Sequence, residues 1–259
     1  IREGTAAKNL QELMPLFEAP YYNRILLVTD DKHPLDLLND GHIDAIIRKA
    51  VHLGADPIRA IKAGSLNAAT YFGLRDTGAI APGYDADIVV LNDLTDLHVQ
   101  EVYKQGTLIS ERGQITTAVN SNTDSIPERV IHSFHVEKIT PAQLVIPKQG
   151  EHIRVIELHA GELLTSERTA SWNTDTSAKD WADGINPDDD IIKIVAIERH
   201  KNTGHLGMGF LGGYGLKKGA VATSIGHDSH NLVVAGTNDT DIAIAANAVI
   251  EAEGGLAIA

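Results

Sequence analysis

The segment Ile25-Leu-Leu-Val-Thr-Asp-Asp-Lys-His-Pro34 constrains this chain more than any other. An apolar, partly β-branched run ends abruptly in two adjacent carboxylates, Asp30 and Asp31, and then a proline. A buried strand that delivers charge to a site at its C-terminal end has this pattern, and in barrels of parallel strands the chemistry sits at that edge. A carboxylate there can bind a metal ion and take a proton from metal-bound water. The competing reading is an Asp-Asp turn that only caps the next helix, since Asp is a good N-cap. Neighbouring residues on an extended strand point to opposite faces. Where the strand ends and the chain turns, both carboxylates can reach one pocket by different routes.

The rest of the N-terminal half alternates in the manner of an α/β fold. Leu10, Leu13, Met14 and Phe17 recur at helical spacing, with Thr5 as the expected N-cap, so residues 5–18 are predicted helical, with Pro15 as a break point. Leu37 and Leu38 predict a short helix closing near Gly41. Ile43, Ile46, Ile47 and Val51 predict a longer one. Asp56-Pro57 opens a third, predicted to run to Gly73. From Gly78 the character changes to short strands at about 88–91, 99–103 and 107–109, with a turn at Gly106. Asn120–Ser125 is polar and reads as a linker. Beyond it, strands are predicted at 130–136, 153–158, 191–199, 205–211, 219–225 and 231–236, a loop at 173–190, a helix at 240–251 and a final strand near 254–259.

Composition narrows the function classes. The 259 residues suffice for two or three domains. With 35 acidic against 22 basic side chains the net charge is −13, which repels a phosphate backbone and argues against nucleic-acid binding. There is no cysteine, which removes disulfides and thiolate ligands and fits a reducing, cytoplasmic setting. No apolar run reaches membrane-spanning length. The chain opens without an initiator methionine and stops inside what reads as a strand, so it is expected to be a fragment of a longer protein.

Three further groups are candidates for chemistry. Arg2-Glu3-Gly4 places a charged pair at a strand end, where it faces a ligand or forms a surface salt bridge. His33 and His42 follow the acidic strand end; solvated or capping roles compete with a role at the site, and for His52 the bland role is favoured. Gly226-His-Asp-Ser-His-Asn231 puts His227, Asp228 and His230 at a corner between strands, where they could bind metal, shuttle protons or hold a polar ligand. The alternative there is a self-bonded polar corner. A Ser-His-Asp hydrolase is disfavoured because triad members converge from separate segments. Gly204–Gly215 is glycine-rich but lacks the strand–loop–helix context and a GK[ST] ending, so it is not a phosphate loop.

Taken together, Ile1–Leu10, Thr29-Asp-Asp-Lys-His-Pro34, Gly41-His-Ile-Asp-Ala-Ile-Ile-Arg48, Leu66-Asn-Ala-Ala69, Ala81-Pro-Gly-Tyr-Asp-Ala-Asp-Ile-Val-Val90, Leu211–Leu216 and His227–Val234 resemble the adenine deaminases of the amidohydrolase superfamily. The Pro-Gly-x-x-Ala-Asp-Ile-Val run points only to the superfamily. The Gly-His-Ile-Asp and His-Asp-Ser-His-Asn pieces make the likeness specific. The resemblance implies an α/β plus α+β chain. Residues 1–76 would be the last βα units of a metal-dependent (β/α)8 barrel, 77–120 part of a small flanking β domain, and 129–259 an α+β C-terminal domain. It implies hydrolysis of adenine to hypoxanthine and ammonia by a metal-activated hydroxide, at a binuclear divalent centre of Mn2+ or Fe2+. Asp30 would be metal ligand and general base. Asp31, Glu3 and Arg2 would bind substrate, and His33, His42, His227, Asp228 and His230 would support the site or form a lid. The partner would be a small purine base, with no nucleic acid or membrane, in a homo-oligomer. The family's HxH pair is absent here, so the isolated chain is expected to be inactive. Another amidohydrolase activity is the alternative, and a non-enzymatic oligomerisation role for the C-terminal unit a third reading.

Overall fold

In the computed structural model, residues 1–116, 126–174 and 181–259 are described, and the chain divides into two units, Ile1–Asn122 and Thr123–Ala259. The predicted linker at 120–125 lies outside the described residues.

The first unit starts with two extended segments side by side. Val28 N donates to Ile1 O at 2.9 Å and Glu3 N to Val28 O at 3.1 Å, a parallel pairing centred on Arg2 and Val28. The predicted strand at 25–28 is therefore extended, but its ladder is one bridge long. A parallel pair forms an evenly spaced, slanted ladder only where both strands stay extended side by side. Here Leu27 N instead donates to Ala63 O at a helix end, at 3.0 Å.

The helix predicted over 5–18 is corrected to turns and one 3-10 turn, Met14–Phe17, with Pro15 in its first positions. Proline has no N–H to donate and its ring obstructs the preceding turn. The spacing of Leu10 and Phe17 marks burial all the same, since both are almost wholly enclosed. Nor does Thr5 cap that segment, because its hydroxyl is bonded to Asp36.

Four short helices follow: α1 (Pro34–Asn39), α2 (Ile43–His52), α3 (Pro57–Gly64) and α4 (Leu66–Tyr71). Asp56 caps α3 by accepting Arg59 N at 2.9 Å. A single helix from 56 to 73 was the expectation; it breaks at Ser65, whose backbone leaves the helical region at φ −138°, ψ −87°. Just before the break, a Cβ at Gly64 would meet the side chains of Ile47 and Ile43 at 2.8 and 2.9 Å, so glycine permits the close α2–α3 approach. Asn67 is buried and donates to Tyr22 O and Ile25 O, pinning the entry of the acidic segment to α4.

The same unit carries a four-stranded antiparallel sheet in sequential order: β1 (Ile88–Leu91), β2 (Val99–Lys104), β3 (Thr107–Glu111) and β4 (Gln114–Ile115). Gln105 and Gly106, at φ 48° and 76°, form the tight β2–β3 turn, a conformation that suits two-residue hairpins. Strand β4 is too short to have a sequence pattern. An apolar trough of about 460 Å3 runs between α2, α3 and this sheet, lined by Ile43, Ile47, Ile61, Ile80, Val89 and Val102 among others.

The second unit begins with α5 (Glu128–Ile131), followed by β5 (His152–Glu157), β6 (Ser166–Ser171), β7 (Ile191–Ile197), β8 (Leu206–Gly212), β9 (Ala220–Thr223), β10 (Leu232–Gly236), α6 (Asp239–Glu251) and β11 (Leu256–Ile258). Their sheet runs β11-β9-β10-β7-β8-β5-β6, antiparallel except for the β5–β8 pair. The strand predicted at 130–136 is corrected: a helical turn follows Pro127, and His135 bonds to the 199–202 loop, its N to Arg199 O and its O to Asn202 N. Edge strand β6 escaped prediction because Ala170 is its one apolar residue. Arg154–Glu167 and Arg168–Glu157 ion pairs tie it to β5. The described part of the predicted 173–190 loop is irregular, with a short 3-10 turn at Pro187–Asp189.

The core of this unit lies between α6 and the sheet, where Ile242, Ala246 and Val249 meet Val195, Leu232 and Val234. Asn238 caps α6 by accepting Asp241 N at 2.7 Å. Lys193 on β7 is fully buried, and its ammonium donates to Leu144 O at 2.8 Å and to the Asp239 carboxylate. A buried ammonium needs such partners, because desolvating it alone costs several kcal/mol or more. Among the described residues no helix is long and apolar enough to cross a membrane.

Candidate active site

The two extended segments that open the first unit end at the same level. Arg2 and Asp30 face each other there, with Arg2 Nη1 3.5 Å from Asp30 Oδ1. Asp30 has a left-handed backbone, φ 55°, which Asp tolerates better than most residues. Its other oxygen accepts Asp31 N at 3.0 Å. The side chain is 30 % exposed, so the carboxylate is open to a ligand from one side.

Asp31 turns the other way. Its two oxygens accept the backbone amides of Ala6 and Ala7, each at 3.3 Å. Glu3 is buried, and its carboxylate takes a 2.8 Å ion pair from Lys49 of α2. Thr5 accepts His33 N at 2.9 Å and donates to Asp36, binding the 4–7 turn to the start of α1. Beside these contacts lies a cleft of about 350 Å3, lined by Glu3, Thr5, Lys8, Lys32, Asp36 and Lys49 among others. Asp30 lies outside that lining.

The tandem carboxylates thus follow different routes, one toward Arg2 and one into backbone. Sequence reading had no means of finding Lys49, Thr5 or Asp36 as partners, because each contact joins segments distant along the chain. His33 and His42 stand at the N-caps of α1 and α2 and make their bonds there through backbone: His33 N to Thr5 and His42 N to Asp44 Oδ1 at 2.9 Å. Both side chains are exposed, and His52 is exposed in the last turn of α2.

In the second unit, His227, Asp228 and His230 form the turn between β9 and β10. Asp228 and His230 have φ 66° and 50°. His227 Nδ1 lies 3.2 Å from Asp228 Oδ1, and the two imidazole rings are 6.4 Å apart. Asp228 is 99 % exposed. The turn is held through its backbone: His230 O accepts Arg199 Nε at 2.6 Å, and Ser229 O lies 2.9 Å from His200 Nε2. Ser229 Oγ accepts Asn231 N at 3.3 Å, so the three neighbours do not form a Ser–His–Asp relay. Glu198 organises the adjoining loop. Burial pushes its carboxyl pKa up, but bonds from Thr203 and from the His200 and Lys201 amides outweigh this and hold it at about 2.

Among the described residues, no three His, Asp, Glu or Cys side chains converge to hold a metal ion. Asp30 offers oxygen donors beside a guanidinium, and the residues present do not by themselves build a binuclear centre.

Comparison with known proteins sets this geometry in context. Residues 7–109 match the amidohydrolase family, a superfamily of (β/α)8 barrels, and residues 162–259 match the adenine deaminase C-terminal domain. Curated adenine deaminases from Kosmotoga olearia and Desulfatibacillum aliphaticivorans are each 42 % identical over all of this chain, and one from Geobacillus kaustophilus is 38 % identical. In each case the chain spans 44 % of the relative's length. A solved amidohydrolase from Thermotoga maritima MSB8 aligns over 39 % of this chain and 36 % of its own, at 23 % identity and a TM-score of 0.27, too slight a likeness to bear on the fold. Matched from its first residue to its last by these relatives, the chain is similar to part of the adenine deaminases and carries stretches that match the amidohydrolase family and the adenine deaminase C-terminal domain.

Proposed function

We propose that this chain is the part of an adenine deaminase that supplies the last-strand carboxylate. The observation that carries the reading is the 42 % identity to adenine deaminases over the whole chain. In the overall reaction, water adds at the ring carbon bearing the exocyclic amine, the C–N bond breaks, and adenine becomes hypoxanthine and ammonia. Asp30 accepts the proton of the attacking water and returns it to the departing amine, the role of a general base and then acid. Its position supports this: the carboxylate is partly open, set beside Arg2 at the ends of two parallel segments, the edge where barrel enzymes work. Arg2 Nη1, 3.5 Å from Asp30 Oδ1, orients the carboxylate.

The divalent centre that the family suggests, manganese or iron in this reading, would take Asp30 as one ligand and need further ligands from outside this chain. Glu3 remains a candidate substrate contact. His33, His42, His227, Asp228 and His230 remain candidate supporting or lid residues. A cytoplasmic homo-oligomer acting on a small purine base belongs to the same reading, supported by the absence of cysteine and by the exposed Ile225, Ile244, Leu256 and Ile258 of the second unit.

The test is ammonia release from adenine by a polypeptide of the relatives' length carrying this sequence, supplied with Mn2+ or Fe2+, with cytosine and dihydroorotate as controls. Turnover of adenine above the controls is expected. Turnover of a control alone would move the chain to another amidohydrolase activity. The 259-residue chain by itself is expected to release no ammonia.

A further inference from the structure

We propose that Asp31 is a positioning residue, seated by the turn at residues 4–7, and that glycine at position 4 makes the seat possible. The inference rests on the reading of Asp30 as proton acceptor.

Three observations converge on it. The Asp31 carboxylate bridges to Ala6 N and Ala7 N, each at 3.3 Å, tying the end of the acidic segment to the turn after the opening segment. The turn is itself closed by Gly4 N on Ala7 O at 2.8 Å and by an antiparallel bridge between Glu3 and Lys8. A Cβ added at Gly4 would fall 2.0 Å from Asp31 Oδ1, 3.1 Å from its Cγ and 2.8 Å from Thr29 O. Gly4 is not among the residues with positive φ, so the backbone does not require glycine there; the space does.

Through this seat the turn reaches Asp30. The carboxylate of Asp31 is fixed from one side, while its own N–H donates to Asp30 Oδ2 at 3.0 Å. Asp30 sits in a left-handed conformation that surrounding contacts must maintain. The order of dependence runs from the space at Gly4, to the Asp31 carboxylate, to the Asp31 amide, to the orientation of Asp30.

The test uses the polypeptide of the relatives' length, comparing wild type with Gly4→Ala, Asp31→Ala, the milder Asp31→Asn, and the double variant Gly4→Ala/Asp31→Ala. Two readouts are taken: steady-state kinetics on adenine, and hydrogen exchange of the segment containing Ala6 and Ala7. A displaced base costs turnover more than binding, so kcat is expected to fall about 10- to 100-fold with KM changed less than about 2-fold. Exchange at Ala6 and Ala7 is expected to accelerate in every variant. The double variant is expected to lose no more than the worse single one, since removing the carboxylate removes most of the clash. A rise in KM at unchanged kcat in Asp31→Asn would make Asp31 a substrate contact and overturn the proposal. Wild-type protection of Ala6 and Ala7 in Asp31→Asn would overturn it as well. If wild type leaves adenine untouched, the functional reading fails, and exchange alone decides whether the seat exists.

Discussion

The two units each carry an exposed turn that contains an Asp with positive φ, and the two turns are built in opposite ways. At Asp30 the support comes from far along the chain: Arg2, the Ala6 and Ala7 amides on the neighbouring Asp31, and Thr5 on His33. At Asp228 the side chain stands in solvent, and the turn is held by the carbonyls of Ser229 and His230. The first arrangement fixes a carboxylate. The second fixes a backbone and leaves the side chains of His227 and Asp228 exposed. Precise chemistry needs the first kind, because reacting groups tolerate displacements of well under an ångström.

Several substitutions probe that contrast. The largest effect is expected for Asp30→Asn, which removes the proposed base: kcat in the polypeptide of the relatives' length should fall by about 100- to 10,000-fold in the ammonia assay. Normal turnover would end the assignment. Next is Lys193→Ala, which leaves Asp239 without its buried partner; the second unit should lose about 3–5 kcal/mol in urea unfolding followed by circular dichroism. An unchanged midpoint would mean that the buried pair contributes no net stability. Gly4→Ala should cost about 1–3 kcal/mol through overpacking, read as a lower urea midpoint.

A smaller effect concerns pH. Glu198 titrates at about 2 in the folded chain against 4.5 in the reference state, so its contribution is present above pH 4.5 and fades as pH falls toward 2. Glu198→Gln should therefore flatten the acid limb of the stability profile in that window and nowhere else. Smallest of all, Asp228→Ala should move the thermal midpoint by less than about 2 °C, as expected for an exposed side chain. A larger loss would show that the two turns are more alike than they look.

Much of the fold was legible because its signals are local. Asp56-Pro57 announces α3, the isoleucine spacing announces α2, and the apolar runs announce β7 and β10. The misreadings have local causes too: Pro15 converts a helical pattern into a 3-10 turn, and Gly64-Ser65 interrupts another helix. What could not be read is long-range. The residues of Asp30-Asp31 were visible, but their different fates depend on a turn more than twenty residues earlier. The surface-charge reading of Glu3 fails because α2 brings Lys49 against it and makes it a buried ion-pair partner. The family resemblance supplied a role for Asp30 that spacing alone left open.

The one parallel pair of the second sheet, β5 on β8, has a consequence for how that unit assembles. The hairpin of β5 and β6 can zip locally, yet it has no template to join until β7 and β8 have met farther along the chain. Closing so long a loop costs entropy before any contact rewards it, so docking of this hairpin belongs late in folding. On a ribosome these two strands would emerge before the edge they dock on, and would stay at best marginally structured until that edge had formed.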